Sequence, residues 1–367
     1  MNRKINIAIV GIGFGAEFIP IYKAHPNTHL YAICARTEEK VIELCNQYGI
    51  ENWYTDVYEL LKDPNIDAVH ICTPIQYHAK HTIAALQAGK HVACAIPMAT
   101  SIDDCKRIVE AQRKNGKNYM MMETTVYTRE FLFVKELLDT KRLGRIQFLR
   151  GSHHQDMSGW PGYWEGLPPM FNATHAVSPL LALAGKNAEF VSCFGSGKIL
   201  DHMISNYGSP FAVETALFRL KDSDLCAEVS RSLFETSRQY IESFDVYGDK
   251  MSFEWQRLEQ DRPLVFIKED GQKINVPDFA HLLPESIQKF TSKSFYEGGD
   301  EQHMSFIQGG GHGGSHPHLA HEFIMGIVEN REPFPNAPIS ANWTCSGICA
   351  HESAMRNGEI VPIPQFL

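Results

Sequence analysis

The sequence predicts an α/β protein of two domains. A doubly wound parallel sheet over residues 1–125 precedes an α+β domain over residues 126–367, built on a large open, mainly antiparallel sheet. Three observations predict this. Short apolar β runs alternate with ten-residue helical segments up to about residue 125. Longer alternating segments then follow one another without helices between them. A chain of 367 residues also exceeds what one ordinary core accommodates.

Ile5–Val10 reads as an apolar strand, and the turn Gly11-Ile12-Gly13-Phe14-Gly15-Ala16 opens a helix running toward Lys23. His29–Cys34 is the second strand, Thr37–Tyr48 a helix with its acids early, and Ala68–Cys72 a buried strand ending at Thr73-Pro74. His78–Ala88 is a helix closed by Gly89. His91–Cys94 and Tyr119–Met122 are strands around the helix Ser101–Lys114, which Ser101 caps. Strands spaced in this way pair in parallel through right-handed crossovers. Beyond them a helix, Arg129–Thr140, precedes strands at Arg145–Ser152, Glu189–Gly195, Val213–Leu220, Cys226–Ser232, Ser243–Gly248 and Ser252–Gln256. Residues 258–308 read as irregular loop, and the helices Leu319–Glu329 and Ala341–Arg356 complete the chain.

Hydrophobic residues make up 44% and charged residues 21%, the balance of a globular protein. A net charge of −9 argues against nucleic acid as partner, because phosphate binding needs a concentrated basic surface. No apolar run approaches the ~20 residues that span a bilayer, so no membrane partner is expected. Met1–Val10 lacks a continuous apolar stretch with a cleavage site and reads as a mature strand. The nine cysteines are odd in number and form no C-x-x-C pair, which predicts reduced core thiols in a cytoplasmic protein.

The glycine turn carries the first chemistry. Gly11 permits the tight turn after the strand, and Gly13 removes a side chain where backbone must meet a pyrophosphate. Phe14 and Gly15 lead into the helix, and Ala16 lets that helix pack close to the strand. The expected cofactor is therefore a nicotinamide dinucleotide. At the end of the second strand Ala35 stands where an NAD site places an acid. Arg36 meets the 2′-phosphate of NADP or stacks on adenine, so NAD(P) is as far as the residues go.

Several segments together resemble one family. They are the glycine turn, Cys72-Thr73-Pro74-Ile75-Gln76-Tyr77-His78, Ala88-Gly89-Lys90-His91-Val92, Pro97 and Thr174-His175. Their order is similar to that in the Gfo/Idh/MocA oxidoreductases, the glucose–fructose oxidoreductase and inositol dehydrogenase family. The resemblance covers most of the chain and is closer before residue 130. It implies a Rossmann domain joined to a C-terminal domain whose open sheet makes homo-oligomers. It also implies oxidation of a sugar or cyclitol hydroxyl with NAD(P), and a cofactor site that includes Thr73, Pro74, His78 and Pro97. One departure is large. The family's Glu-Lys-Pro reads Ala95-Ile96-Pro97, so isoleucine replaces the lysine that assists proton transfer. The aspartate expected four residues before the histidine is Phe171, with Asn172 beside it. Of the Lys, Asp and His trio only His175 remains.

Replacement groups lie elsewhere. His175 is the expected base, with Tyr127 or His312 and His316 assisting, since imidazole titrates near neutral pH. Glu123, Tyr127 and Arg129 leave the last Rossmann strand, beside cofactor and sugar, or else form a polar cluster between domains. Trp160, Tyr163 and Trp164 offer flat faces to a pyranose, or pack a surface loop. Asn172 and His154 complete the expected sugar contacts, and His153 and His154 end a strand that joins the cleft or covers a sheet edge. In the run Gly309–Glu322, five glycines surround His312, and Pro317 suits a first helical turn. His318, His321 and Glu322 share a helical face, but with no fourth ligand in view no metal is assigned. The Gly-His-Gly-Gly signature resembles the NAD-dependent α-N-acetylgalactosaminidases of the family, and members that oxidise the 3-hydroxyl of glycosides come close as well. The expected function is oxidation of a sugar or glycoside secondary hydroxyl to a keto-sugar, position 3 favoured, with NAD(P) free or tightly held. A redox-assisted glycosidase or lyase on bound NAD, and a non-catalytic NAD(P)-binding sensor, are the two alternatives.

Overall fold

The structure is a computed structural model that describes residues 3–292 and 312–366. Six parallel strands form its first sheet: β1 (Ile5–Val10), β2 (Thr28–Cys34), β3 (Asn52–Tyr54), β4 (Ala68–Ile71), β5 (His91–Cys94) and β6 (Tyr119–Met121). Their order, β3-β2-β1-β4-β5-β6, reverses direction between β1 and β4. A crevice therefore opens at the carboxyl ends of these two strands. Ile7, Ala8, Ile9 and Val10 are all buried, as expected of a strand covered on both faces. Ser101 caps the helix Ile102–Asn115 by accepting from the Asp104 amide.

The second sheet has nine strands. β7 (Ile146–His154), β8 (Ala188–Ser196), β9 (Val213–Leu220), β10 (Cys226–Ser232), β11 (Ile241–Gly248), β12 (Ser252–Glu254), β13 (Leu264–Ile267), β14 (Asp270–Lys273) and β15 (Val361–Pro362) run in the order β14-β13-β12-β11-β7-β10-β9-β8-β15. Only the β7–β10 pair is parallel among the described strands of this sheet. The helices Thr174–Ala184 and Ala337–Met355 pack on one face. The second of these also lies against Ile102–Asn115 and β6, so one apolar core runs from Val10 and Met121 through Leu149 to Phe218 and Phe244.

Several elements differ from expectation. β3 and the helix Val57–Lys62, capped by Asp56, fill a stretch with no assigned element. The glycine turn enters a 3-10 turn, Phe14–Phe18, before the α-helix Ile19–Ala24 begins with Pro20 in its first turn. The helix Thr174–Ala184 carries no polar stripe, being buried nearly all round, and so shows no amphipathic period. In the expected loop 258–308, β13 and β14 pair as a hairpin. Residues 293–308 of that loop, and Gly309–Gly311, lie outside the described residues. The two last helices begin earlier than expected, at Ser315 and Ala337. All nine cysteines are free thiols. Among the described residues no helix is long and apolar enough to cross a membrane.

Candidate active site

A cleft of roughly 1320 Å³ runs from the glycine turn, past the ends of β2 and β4, to the edge of the second sheet. Gly11 holds φ +97°, and a Cβ there would stand 2.5 Å from the Cys72 carbonyl oxygen. A Cβ on Gly15 would meet Ile9 Cγ2 at 2.9 Å and Cys72 Cβ at 3.2 Å. Close packing of turn on strand thus falls to Gly15 rather than to Ala16, which lines the cleft with Gly11, Gly13 and Phe14. Gly13 stands at the N-cap of the 3-10 turn, where first-turn amides have no partner within the helix and can meet an anion. Arg36, Thr73, Pro74 and His78 line the same end. The His78 ring is held in place by both nitrogens, with Nδ1 2.8 Å from the Pro97 carbonyl and Nε2 2.7 Å from that of Thr73. These residues fit a dinucleotide: a glycine-lined backbone for the pyrophosphate and a guanidinium at the far end of β2.

Deeper in the cleft four elements bring histidines and carboxylates together. His153 comes from β7, His175 from the helix Thr174–Ala184, Glu242 from β11, and His312 from the 3-10 turn His312–Gly314. Glu123, fully buried behind them, approaches His175 Nδ1 with Oε1 at 2.5 Å. The other ring nitrogen of His175, Nε2, lies 3.5 Å from Glu242 Oε1. His312 Nε2 is 3.7 Å and His153 Nε2 4.0 Å from that same oxygen, to which the Tyr240 hydroxyl also donates. Burial pushes the His175 pKa down, but Glu123 and Glu242 outweigh it and raise the ring to about 8. Burial would raise Glu123, yet His175 holds it below the usual carboxylate range. Burial lowers His312, and burial with the neighbouring Arg231 holds His153 well below the usual imidazole range. Arg231 is itself fully buried and donates to the carbonyls of Asn172 (2.9 Å) and His153 (3.1 Å).

Gly151 sets the position of His175. A Cβ there would lie 2.2 Å from the Ala176 carbonyl oxygen, so glycine alone lets the helix seat on β7. Gly151→Ala is expected to cost about 1–3 kcal/mol of stability. It should also reduce any activity that needs His175 in place, and a denaturation midpoint beside the wild type checks this.

Other expected site residues go elsewhere. The Tyr127 hydroxyl donates to the Phe334 carbonyl at 2.8 Å, which ties two segments together instead of reaching the cleft. Arg129 donates to the Thr291 carbonyl at 2.9 Å. His316 is fully buried beneath Phe14, with Nδ1 3.3 Å from Glu17. His154 points the opposite way from His153 along β7 and meets the Ser232 hydroxyl at 2.9 Å. Pro97 contributes its carbonyl to His78. Trp160, Tyr163, Trp164 and Asn172 do line the cleft. The indole nitrogens of Trp160 and Trp164 and the Asn172 side-chain oxygen are buried without a hydrogen-bond partner. The helical face of His318, His321 and Glu322 is engaged otherwise: Glu322 pairs with Arg331 at 2.6 Å, and His321 meets His25 at 3.0 Å.

Sequence reasoning missed Glu242 and Tyr240 and chose the wrong neighbour of His153. The signal was present in the period of two. Glu242 is in phase with the buried Phe244 and Val246, and His153 with Leu149 and Gly151, so both belong to core-facing rows.

Residues 5–123 match the model of the Gfo/Idh/MocA oxidoreductase family, with its NAD-binding Rossmann fold. Oxidoreductase P35 of Formosa agariphila is 32% identical over 151 residues, 40% of this chain and 46% of that protein. Myo-inositol 2-dehydrogenase of Thermotoga maritima is 30% identical over 147 residues, 40% of this chain and 44% of its own. The matched part spans just under half the length of these relatives. A levoglucosan dehydrogenase in complex with NADH shares the whole fold, with TM-score 0.81, 21% identity, and coverage of 99% of this chain and 100% of that one.

Proposed function

We propose, from a chain whose first domain belongs to the Gfo/Idh/MocA oxidoreductases, that the whole protein oxidises a secondary hydroxyl of a sugar or glycoside to a ketone with NAD(P). The observation that carries this reading is one cleft that joins the glycine turn to the His175 cluster. When bound, the nicotinamide supplies the hydride acceptor. The chain's own residues hold the pyrophosphate at Gly11–Gly15 and take the hydroxyl proton at the cluster of His175, His312 and Glu242. Lys40, far along the cleft beside β2, is the one lysine among its described lining residues, so imidazoles take over the part played by the family's lysine.

Trp160, Tyr163 and Trp164 line the cleft, and their flat faces support a polyhydroxylated ring substrate packed on them through its C–H face. Relatives and neighbours named for inositol and levoglucosan point to the same class. Position 3 of a glycoside is the hydroxyl we assign, from the Gly-His-Gly-Gly segment. Trp160→Ala is expected to raise KM about 3–10-fold with a smaller change in kcat, the loss of one aromatic contact, as steady-state kinetics will read.

Incubation with NAD+ or NADP+ and a glycoside panel tests the activity. Reduced nicotinamide should form together with a product lighter by two hydrogens. Absence of both across the panel removes the proposal. The outer face of the second sheet exposes Phe190, Phe194 and Leu217, which supports assembly of this chain into homo-oligomers through that sheet.

A further inference from the structure

We propose that His153, His175 and Glu242 form a mononuclear site for a divalent transition-metal ion, open to substrate on its cleft side. Their ligand atoms all lie within 4.8 Å of one another. Bonds of about 2.0–2.1 Å to zinc place neighbouring ligand atoms about 3.4 Å apart in a tetrahedron. The separations from Glu242 Oε1, 3.5 Å to His175 Nε2 and 4.0 Å to His153 Nε2, approach that edge before any ion draws them in. Both nitrogens of His153 are buried without a hydrogen-bond partner, and the ring is only 1% exposed. A neutral imidazole buried in this way is expensive unless something accepts its lone pair. A metal ion does so.

The surroundings supply what a metal site needs beyond its ligands. Glu123 at 2.5 Å from His175 Nδ1 fixes that ring with Nε2 turned toward Glu242, the carboxylate–histidine arrangement that raises ligand basicity. Tyr240 orients Glu242. Two buried carboxylates, Glu123 and Glu242, bracket the His175 ring, while Arg231 donates to the carbonyls of Asn172 and His153, so the pocket favours a cation beside that ring. Three protein ligands with a remaining position open to the cleft is the pattern of a catalytic ion rather than a structural one.

In its catalytic part the inference rests on the oxidoreductase reading above. The substrate hydroxyl takes the open position, and coordination acidifies it. Its proton passes to His312 Nε2, which stands 3.7 Å from Glu242 Oε1. The carbinol C–H bond breaks with its electron pair leaving as hydride to the nicotinamide, the C=O bond forms, and the ion keeps its oxidation state. The missing lysine is thereby replaced by a Lewis acid and a neighbouring imidazole.

The test uses the full chain, stripped with a chelator, dialysed, and titrated with Zn2+ and with Co2+. A single ion per protomer should survive gel filtration, and the Co2+ form should show visible d–d bands that shift when a glycoside is added. His153→Ala and Glu242→Gln should each lose that ion. Glu123→Gln, which touches no metal, should weaken affinity about 10–100-fold. If His153→Ala does not fold, the isosteric Glu242→Gln carries the comparison alone. Failure of both metals to bind stoichiometrically, or wild-type binding by Glu242→Gln, overturns the site. Full-rate oxidation of a glycoside by metal-free protein overturns it as well and leaves the oxidoreductase reading standing. A bound ion without any keto product would do the reverse.

Discussion

His175→Ala should lower kcat for sugar oxidation about 10²–10⁴-fold, with dinucleotide affinity unchanged. His175 touches both carboxylates of the cluster, Glu123 on Nδ1 and Glu242 on Nε2. The glycine turn Gly11–Gly15 follows β1 and is built apart from the helix that carries His175. The same change strands Glu123, which is fully buried, without its ring partner. Removing one member of a buried pair costs about 3–5 kcal/mol, so the variant should also melt early. His175→Asn offers a smaller cavity and is the variant to use if alanine unfolds. Calorimetry for the dinucleotide and single-turnover measurement of hydride transfer separate the two effects. Unchanged turnover would remove His175 from the chemistry.

Gly11→Val should be the most damaging change outside the cluster. A β-branched side chain is strained at φ +97°, and its Cβ would sit 2.5 Å from the Cys72 carbonyl oxygen and 2.7 Å from the carbonyl carbon. Both obstacles are backbone, so neither can step aside as a flexible side chain would. Strain and overpacking together should destabilise the fold by about 2–4 kcal/mol. They should also displace the turn enough to abolish measurable dinucleotide binding. Gly116→Ala is the control. Gly116 holds φ +63° with nothing within 4 Å, so it carries backbone strain without a collision. That substitution should cost about 1 kcal/mol and leave binding intact. If both variants bind the dinucleotide like the wild type, the Gly11 turn is not the pyrophosphate cradle.

The first sheet, β3 apart, was legible because its strands are covered on both faces and punctuated by glycines and caps. Ile5–Val10, His91–Cys94, Val213–Leu220 and Cys226–Ser232 fall where the apolar and alternating runs put them. The helix Thr174–Ala184 was not legible, since its apolar residues surround it and leave no period to detect. The site was legible in part. His175 and His312 stand out in local motifs, whereas Glu242 lies in an unremarkable strand and acquires meaning only when β11 pairs with β7, setting Glu242 opposite His153. Such cross-strand register is a long-range property that one strand's composition does not encode. Tyr127 failed for the opposite reason. It leaves a promising strand end, but the long-range approach of Phe334 takes its hydroxyl.

The helix Ala337–Met355 rests against both sheets at once, and Thr344 reaches the Met121 sulfur at 3.7 Å across that boundary. With hydrocarbon continuous from Val10 to Phe244, the two halves cannot part like jaws without exposing it. Ligands are therefore admitted over the rim of a groove that is already formed, and heating should dissolve both sheets in one cooperative step.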